Sequence, residues 1–132
     1  MNRENKYRGF SIELNKWLFG FFMIGLNGES YIIHKVKVDE NTTILEYTIV
    51  APESVGQFAG LPDKKGVDAY ENDLAKHPSA KHLFEIVFYK GAFWLQSQEP
   101  SLLKNNIKTN ISHLEFCEII GNSFTNPELI NK

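Results

Sequence analysis

GQFAGLPDKKGVDAYENDLA, residues 56–75, sets the fold class. Asp63-Lys64-Lys65-Gly66 is a tight-turn tetrapeptide. An aspartate in first place can accept from backbone N–H groups ahead of it, and a glycine in last place takes a positive φ without steric cost. Gly60 interrupts the short run before Leu61-Pro62. Asn72 is the next residue suited to the left-handed region, and Asp73 can bond the turn backbone beside it. Leu74 then re-enters a core on a new strand. Two reversals within about fifteen residues mark a small, short-stranded β architecture, not a helical one. Gly60, Asp63, Gly66, Asn72 and Asp73 form its structural turn set.

Outward from this stretch, the N-terminal side carries four strand candidates. Residues 7–14 (YRGFSIEL) alternate approximately. Residues 17–24 (WLFGFFMI) are apolar throughout, which predicts a strand buried on both faces, with Gly20 permitting a bend or close approach. Asn27-Gly28 predicts a type I′ hairpin turn. Its partner strand is SYIIHKVKV, with Tyr31, Ile33, Lys35 and Lys37 on one face and Ile32, His34, Val36 and Val38 on the other. ILEYTIV, residues 44–50, is a further strand limited by Pro52. On the C-terminal side, residues 76–82 (KHPSAKH) read as a loop. Residues 83–88 and 92–95 form a hairpin with Tyr89-Lys90-Gly91 at its tip. Residues 101–104 suit one helical turn, 105–110 are polar and mobile, and 113–120 (HLEFCEII) are the last strand. Asn126-Pro127-Glu128 reads as N-cap, first position and first-turn acid of a short terminal helix.

The expected fold is mostly β: a small N-terminal antiparallel sheet packed with a C-terminal SH3-like, partly open β barrel, plus one or two short helices. A chain of 132 residues is a single domain, 1–132, with a soft boundary near 51–55 that separates sub-lobes 1–52 and 53–132. Aromatic residues make up 13%, ten of them phenylalanine, which favours half-buried pleated surfaces.

Fourteen basic and sixteen acidic residues give a net charge of −2, without the positive excess that phosphate-contacting DNA binders carry. The lone Cys117 rules out an internal disulfide framework and points to a reducing cytoplasm. The polar start MNRENKYR is not a signal peptide, and the ten-residue run 17–26 is too short to span a bilayer as a helix, so no membrane partner is expected.

The central stretch resembles the central motif of the YopX family, proteins encoded by bacteriophages and prophages. The motif is a Gln-aromatic-x-Gly-Leu-x-Asp-x-x-Gly run followed by aromatic-Glu-Gly-Asp-aliphatic. It is matched by Gln57, Phe58, Gly60, Leu61, Asp63, Gly66, Tyr70, Glu71, Asp73 and Leu74. Asn72 stands where the family usually has glycine, a mild departure if positive φ is the requirement. Residues 7–22 resemble the family's opening strands and 119–130 its closing segment. The resemblance implies a mostly β fold and a mobile-element origin. It implies no activity and no catalytic or binding residues.

Few constellations suggest chemistry. His77 and His82 share a loop without a third ligand, so no metal is expected. Glu71 and Asp73, two apart on an extended segment, would point to one side and could act as acid and base, but no further ligand or motif accompanies them. On a strand, His113 and Cys117 would lie about 13 Å apart, which leaves Cys117 as a small buried hydrophobe. Lys64, Lys65, Lys76, Lys81 and Lys90 flank the second lobe's loops with Tyr70 and Trp94 nearby. Aromatics beside basic loops are how small barrels hold single strands, so Lys64, Lys65, Tyr70, Lys90 and Trp94 are the candidate binding residues.

The expectation is a non-enzymatic accessory protein, without cofactor or metal, that acts by binding an unknown protein partner or as a homo-oligomer. A nucleic-acid-binding small barrel is the less favoured alternative. An enzyme with a carboxylate site at Glu71 and Asp73 comes third.

Overall fold

The structure, a computed structural model, describes residues 6–130. The chain divides into two compact units, residues 1–58 and 59–132.

Unit 1 is an antiparallel sheet. β1 (Tyr7–Ser11), β2 (Lys16–Ile24), β3 (Ser30–Asp39) and β4 (Thr42–Val50) lie in the order β4-β3-β2-β1, and the start of β5 (Gly56–Pro62) pairs with β1. β1 is shorter than expected because the Ser11 hydroxyl accepts from Leu14 N–H and Asn15 turns left-handed at φ 55°. Residues 25–29, between β2 and β3, make a turn of a different kind from the one expected. Gly28 N–H donates to Gly25 O, and only Gly28 has a positive φ, 86°. Asn27 therefore serves a type I turn that Gly28 closes, not a type I′ turn.

β2 changes partners midway. Its first half pairs with β1 as far as Gly20, opposite Tyr7, and its second half pairs with β3 from Phe21, opposite Ile33. At the handover the Ile33 carbonyl packs directly on Gly20, where a Cβ would collide with it. Leu18, Ile32 and Val50 are the buried centre, with Tyr7, Phe22 and Val55 packed around them. A 3-10 turn, Pro52–Ser54, ties the chain back to β1: Ala51 N–H donates to Phe10 O, and Phe10 N–H donates to the Ser54 hydroxyl.

In unit 2, β5 turns at Asp63–Gly66 into β6 (Asp68–Tyr70). A five-stranded antiparallel sheet follows in the order β10-β9-β8-β7-β11: β7 (Asp73–Lys76), β8 (Phe84–Tyr89), β9 (Ala92–Ser97), β10 (Lys108–Asn110) and β11 (Glu118–Asn122). The fold is mostly β, as expected, but no barrel closes among the described residues. The β8–β9 hairpin turns at Lys90 and Gly91, with φ 49° and 82°. Ala69, Ala75, Ile86, Leu95, Leu114 and Cys117 form the core, each fully buried.

Four expectations in this unit are corrected. Residues 105–110 are not simply a mobile polar stretch: Lys108–Asn110 form a strand on β9, and the Gln96 side-chain amide donates to Ile107 O. Helix α1, Pro100–Lys104, begins one residue earlier than expected, with the Glu99 carboxylate accepting from Leu102 N–H as its cap. Residues 113–116 are not strand. Ile111–Phe116 is a 3-10 helix capped by the Asn110 side chain on Ser112 N–H. Leu114 and Cys117, three apart, both reach the core, which fits a three-residue turn and not an alternating strand. Finally, the C-terminal segment is a 3-10 turn, Pro127–Leu129, and Asn126 does not cap it; the Asn126 side-chain oxygen accepts from Asn122 N–H instead.

Candidate functional site

β2 was expected to be buried on both faces. It is covered on one only. Phe19 is 50% exposed, Phe21 54% and Met23 38%. Strand register places their neighbours: Phe21 lies opposite Ile33, and Ile33 opposite Tyr47; Met23, Tyr31 and Ile49 form the next row, and Lys35 faces Leu45. Opposed residues in adjacent antiparallel strands share a face. One face of β2-β3-β4 thus carries Phe19, Phe21, Met23, Leu45, Tyr47 and Ile49 together. Tyr47 is the most exposed, at 66%, and its ring meets Tyr31 edge-on at 5.5 Å between centroids. Six such side chains, each about half exposed, leave on the order of 600 Å² of largely apolar surface in one patch, at the upper end of the usual largest patch of a monomer. A shallow depression of ≈ 390 Å³ between Phe19, Phe21, Ile33, Lys35 and Leu45 lies within it. At its β1 end the Arg8 guanidinium sits 4.7 Å from the centroid of the Trp17 ring, which Phe10 also meets edge-on.

The same region has an open edge. β4 is the end strand, and among the described residues nothing pairs with its outer side. Thr42–Tyr47 are exposed on both faces, and Ile44 and Val38 add apolar surface on the opposite face. Natural edges are blunted by lysine, proline or bulges. The nine residues of β4 contain neither lysine nor proline, Glu46 is their one charge, and the one register slip against β3 lies at the far end, between Lys37 and Asp39.

The residues singled out from sequence are distributed differently. Asp63 is buried, and its carboxylate accepts from Lys65 and Val67 N–H through one oxygen and from Ile119 N–H, 2.9 Å away, through the other. Burial pushes its pKa up, but these three backbone donors outweigh that and hold it below the ordinary carboxylate value. Gly60, Gly66 and Asn72 have φ of 89°, 82° and 77°. The Asp73 carboxylate is turned inward and accepts from Tyr70 N–H at 2.8 Å. It is buried, and it does not stand beside Glu71 on an extended segment as the spacing suggested. Glu71 acts on Glu85 instead. Burial pushes the Glu85 carboxyl up, and the Glu71 charge adds to that.

Of the candidate binding residues, Tyr70 is buried in unit 2. Lys65 is held 2.8 Å from the Glu118 carboxylate, and their hydrogen bond raises the lysine pKa and lowers that of the glutamate. Lys64 donates its backbone N–H to Cys117 O. Lys90 and Trp94 do come together, at Tyr89: the Lys90 ammonium lies 5.4 Å from the ring centroid, and the indole N–H donates to Tyr89 O. Lys108, which the sequence reading passed over, lies nearer the ring at 4.0 Å. His113 and Cys117 are close, not 13 Å apart, because they span the 3-10 helix; the thiol lies 3.5 Å from His113 O. Burial pushes the thiol pKa up, so it stays protonated and unreactive at neutral pH. Among the described residues no cluster of histidine, cysteine and carboxylate side chains could hold a metal ion, and no helix is long and apolar enough to cross a membrane.

The exposed face escaped the sequence reading because an all-apolar strand gives no clue to whether both sides are covered. The signal lay in β4, where Leu45, Tyr47 and Ile49 make one side of ILEYTIV wholly apolar while Glu46 and Thr48 fall on the other.

No curated protein matches the chain. Among solved structures, the crystal structure of protein EF1440 from Enterococcus faecalis is similar in fold, with a TM-score of 0.56 and 21% identity over 98% of this chain and 100% of that one. The family model described as YopX protein matches residues 6–131, nearly the whole length, and the chain belongs to the YopX family.

Proposed function

We propose that the chain is a non-enzymatic accessory protein of phage or prophage origin that works in the bacterial cytoplasm by binding, and that it does so as a self-associated assembly joined through β4 and the apolar face of β2-β3-β4. The observation that carries this reading is the coincidence of that face with an open edge on one strand. A stable interface takes about 800 Å² from each partner, of which the patch supplies roughly 600 Å² and the paired edge of β4 the remainder. A second copy fits better than a charged partner because the central rows of the face, Phe21 with Ile33 and Tyr47 and Met23 with Tyr31 and Ile49, carry no charge; Lys35 and Lys37 lie farther along the same face, Arg8 opposite Phe19, and Glu46 on the other side. Antiparallel pairing of β4 with itself about a twofold axis is self-complementary. With Tyr47 opposite its own copy, Leu45 meets Ile49 and Glu46 meets Thr48, so no charge faces a like charge.

Sedimentation equilibrium across micromolar to near-millimolar concentration tests the reading. A mass rising to that of the dimer supports it, and a monomer at every concentration overturns it.

The nucleic-acid alternative loses support from the placement of its residues. Tyr70 is buried, Lys65 is ion-paired, and the ring of Tyr89 is shared by two ammonium groups. The carboxylate alternative loses support because Asp73 is turned to the backbone of its own turn.

A further inference from the structure

Unit 2 has a groove of ≈ 420 Å³ lined on one hand by Lys76, Lys81 and His82 and on the other by Leu83, Ile120 and Leu129, with no carboxylate in its lining. Three local features build it. First, Lys76 on β7 stands opposite Glu118 on β11, its natural cross-strand partner, but that carboxylate is engaged by Lys65 at 2.8 Å. Among the described residues Lys76 and Lys81 make no ion pair. Second, the β7–β11 register slips between Ile119 and Gly121, which leaves Ile120 as the extra residue of a bulge, 42% exposed. Bulges re-aim side chains in this way. Third, the turn after β11 is locked. The Asn122 side-chain oxygen accepts from Phe124 and Thr125 N–H, and the Asn126 side chain lies against Gly121 where a Cβ would stand. This seats the 3-10 turn that delivers Leu129 to the groove.

Among the described residues neither ammonium group is ion-paired, so two lysines lining one groove offer six hydrogen-bond donors and two positive charges to what enters it. The volume lies within the range of small-molecule clefts, and the apolar side of the lining offers nothing to a small hydrated ion. We infer that the groove binds a small organic carboxylate with an apolar body, the carboxylate against Lys76 and Lys81 and the body on Leu83, Ile120 and Leu129. Neither lysine belongs to the self-association surface, so this site stands or falls separately.

The test uses the full chain, with 4-phenylbutyrate as the probe and 4-phenylbutanol and inorganic phosphate as controls, followed by calorimetry and by amide shifts in two-dimensional NMR. The expected result is one saturable site for the carboxylate, with shifts at residues 76, 81–83, 120 and 129–130. The alcohol and phosphate should each bind at least about tenfold more weakly. Lys76→Gln combined with Lys81→Gln, both at the surface, should erase the preference for the carboxylate while leaving the unfolding temperature unchanged. Equal binding of the alcohol, an unchanged preference in the double variant, shifts located elsewhere, or no saturable binding would each overturn the inference.

Discussion

At the scale of single residues, Asp63 holds the most. A buried carboxylate with three backbone donors is stabilising only while all three are aligned, and its removal leaves three N–H groups without their acceptor. Asp63→Ala should therefore cost about 3–4 kcal/mol in urea unfolding, and Asp63→Asn about 2 kcal/mol, since an amide oxygen restores part of the pattern without charge. Because the folded-state pKa is depressed, the contribution is complete at neutral pH, where the group is ionised in both states. It is lost as pH falls below about 4, through the folded value. The acid limb of a stability profile should be shallower in Asp63→Asn than in the parent. An unchanged limb would mean that the carboxylate's charge plays no part. Asn72 is a different case. Its φ of 77° asks only for a residue that tolerates the left-handed region, while its backbone bonds Ile86 O and Ser123 N–H. Asn72→Gly should lie within about 0.5 kcal/mol of the parent and Asn72→Ala about 1 kcal/mol below it. Both residues were legible in the sequence as turn formers. The reach of Asp63 to Ile119, 56 positions away, was not.

At the scale of elements, the legible parts were those whose local chemistry agreed with their surroundings. The β8–β9 hairpin and the Tyr31/Ile32 alternation of β3 follow from turn residues and period alone. The segment 111–116 did not, because HLEFCEII supports an alternating pattern and a three-residue period equally well. The cap at Asn110 and the shared burial of Leu114 and Cys117 decide between them. β2 shows the reverse. Gly20 was legible as a place of close approach, and the approach is that of the Ile33 carbonyl where β2 passes from β1 to β3. A methyl group there meets backbone, which cannot rotate away. Gly20→Ala should lower the unfolding free energy by about 3 kcal/mol, read from the urea midpoint at unchanged slope. A loss below about 1 kcal/mol would show that β3 can shift to make room.

At the scale of the whole molecule, the question is what the uncovered face of unit 1 meets. Tyr47→Lys changes a side chain that packs little within its own chain, so monomer stability should move by less than about 0.5 kcal/mol. The same change at the centre of the proposed interface should weaken self-association by about 2 kcal/mol or more, visible as a monomer in sedimentation at concentrations where the parent is dimeric. The association of the parent should vary little with salt, since the contact is apolar. A steep salt dependence would point to a charged partner surface instead.

The sequence by itself determined the β class, the tight turns at Asp63–Gly66 and Asn72–Asp73, and the membership signalled by the central motif, because turn chemistry and pleat period are properties of neighbouring residues. Only the tertiary structure decided that Phe19, Phe21, Leu45 and Tyr47 share an open face, and that Glu118 is taken by Lys65 and not by Lys76. The reason is that exposure and pairing depend on which distant strand arrives beside a residue. A run of apolar side chains reads the same whether its second face is covered or bare.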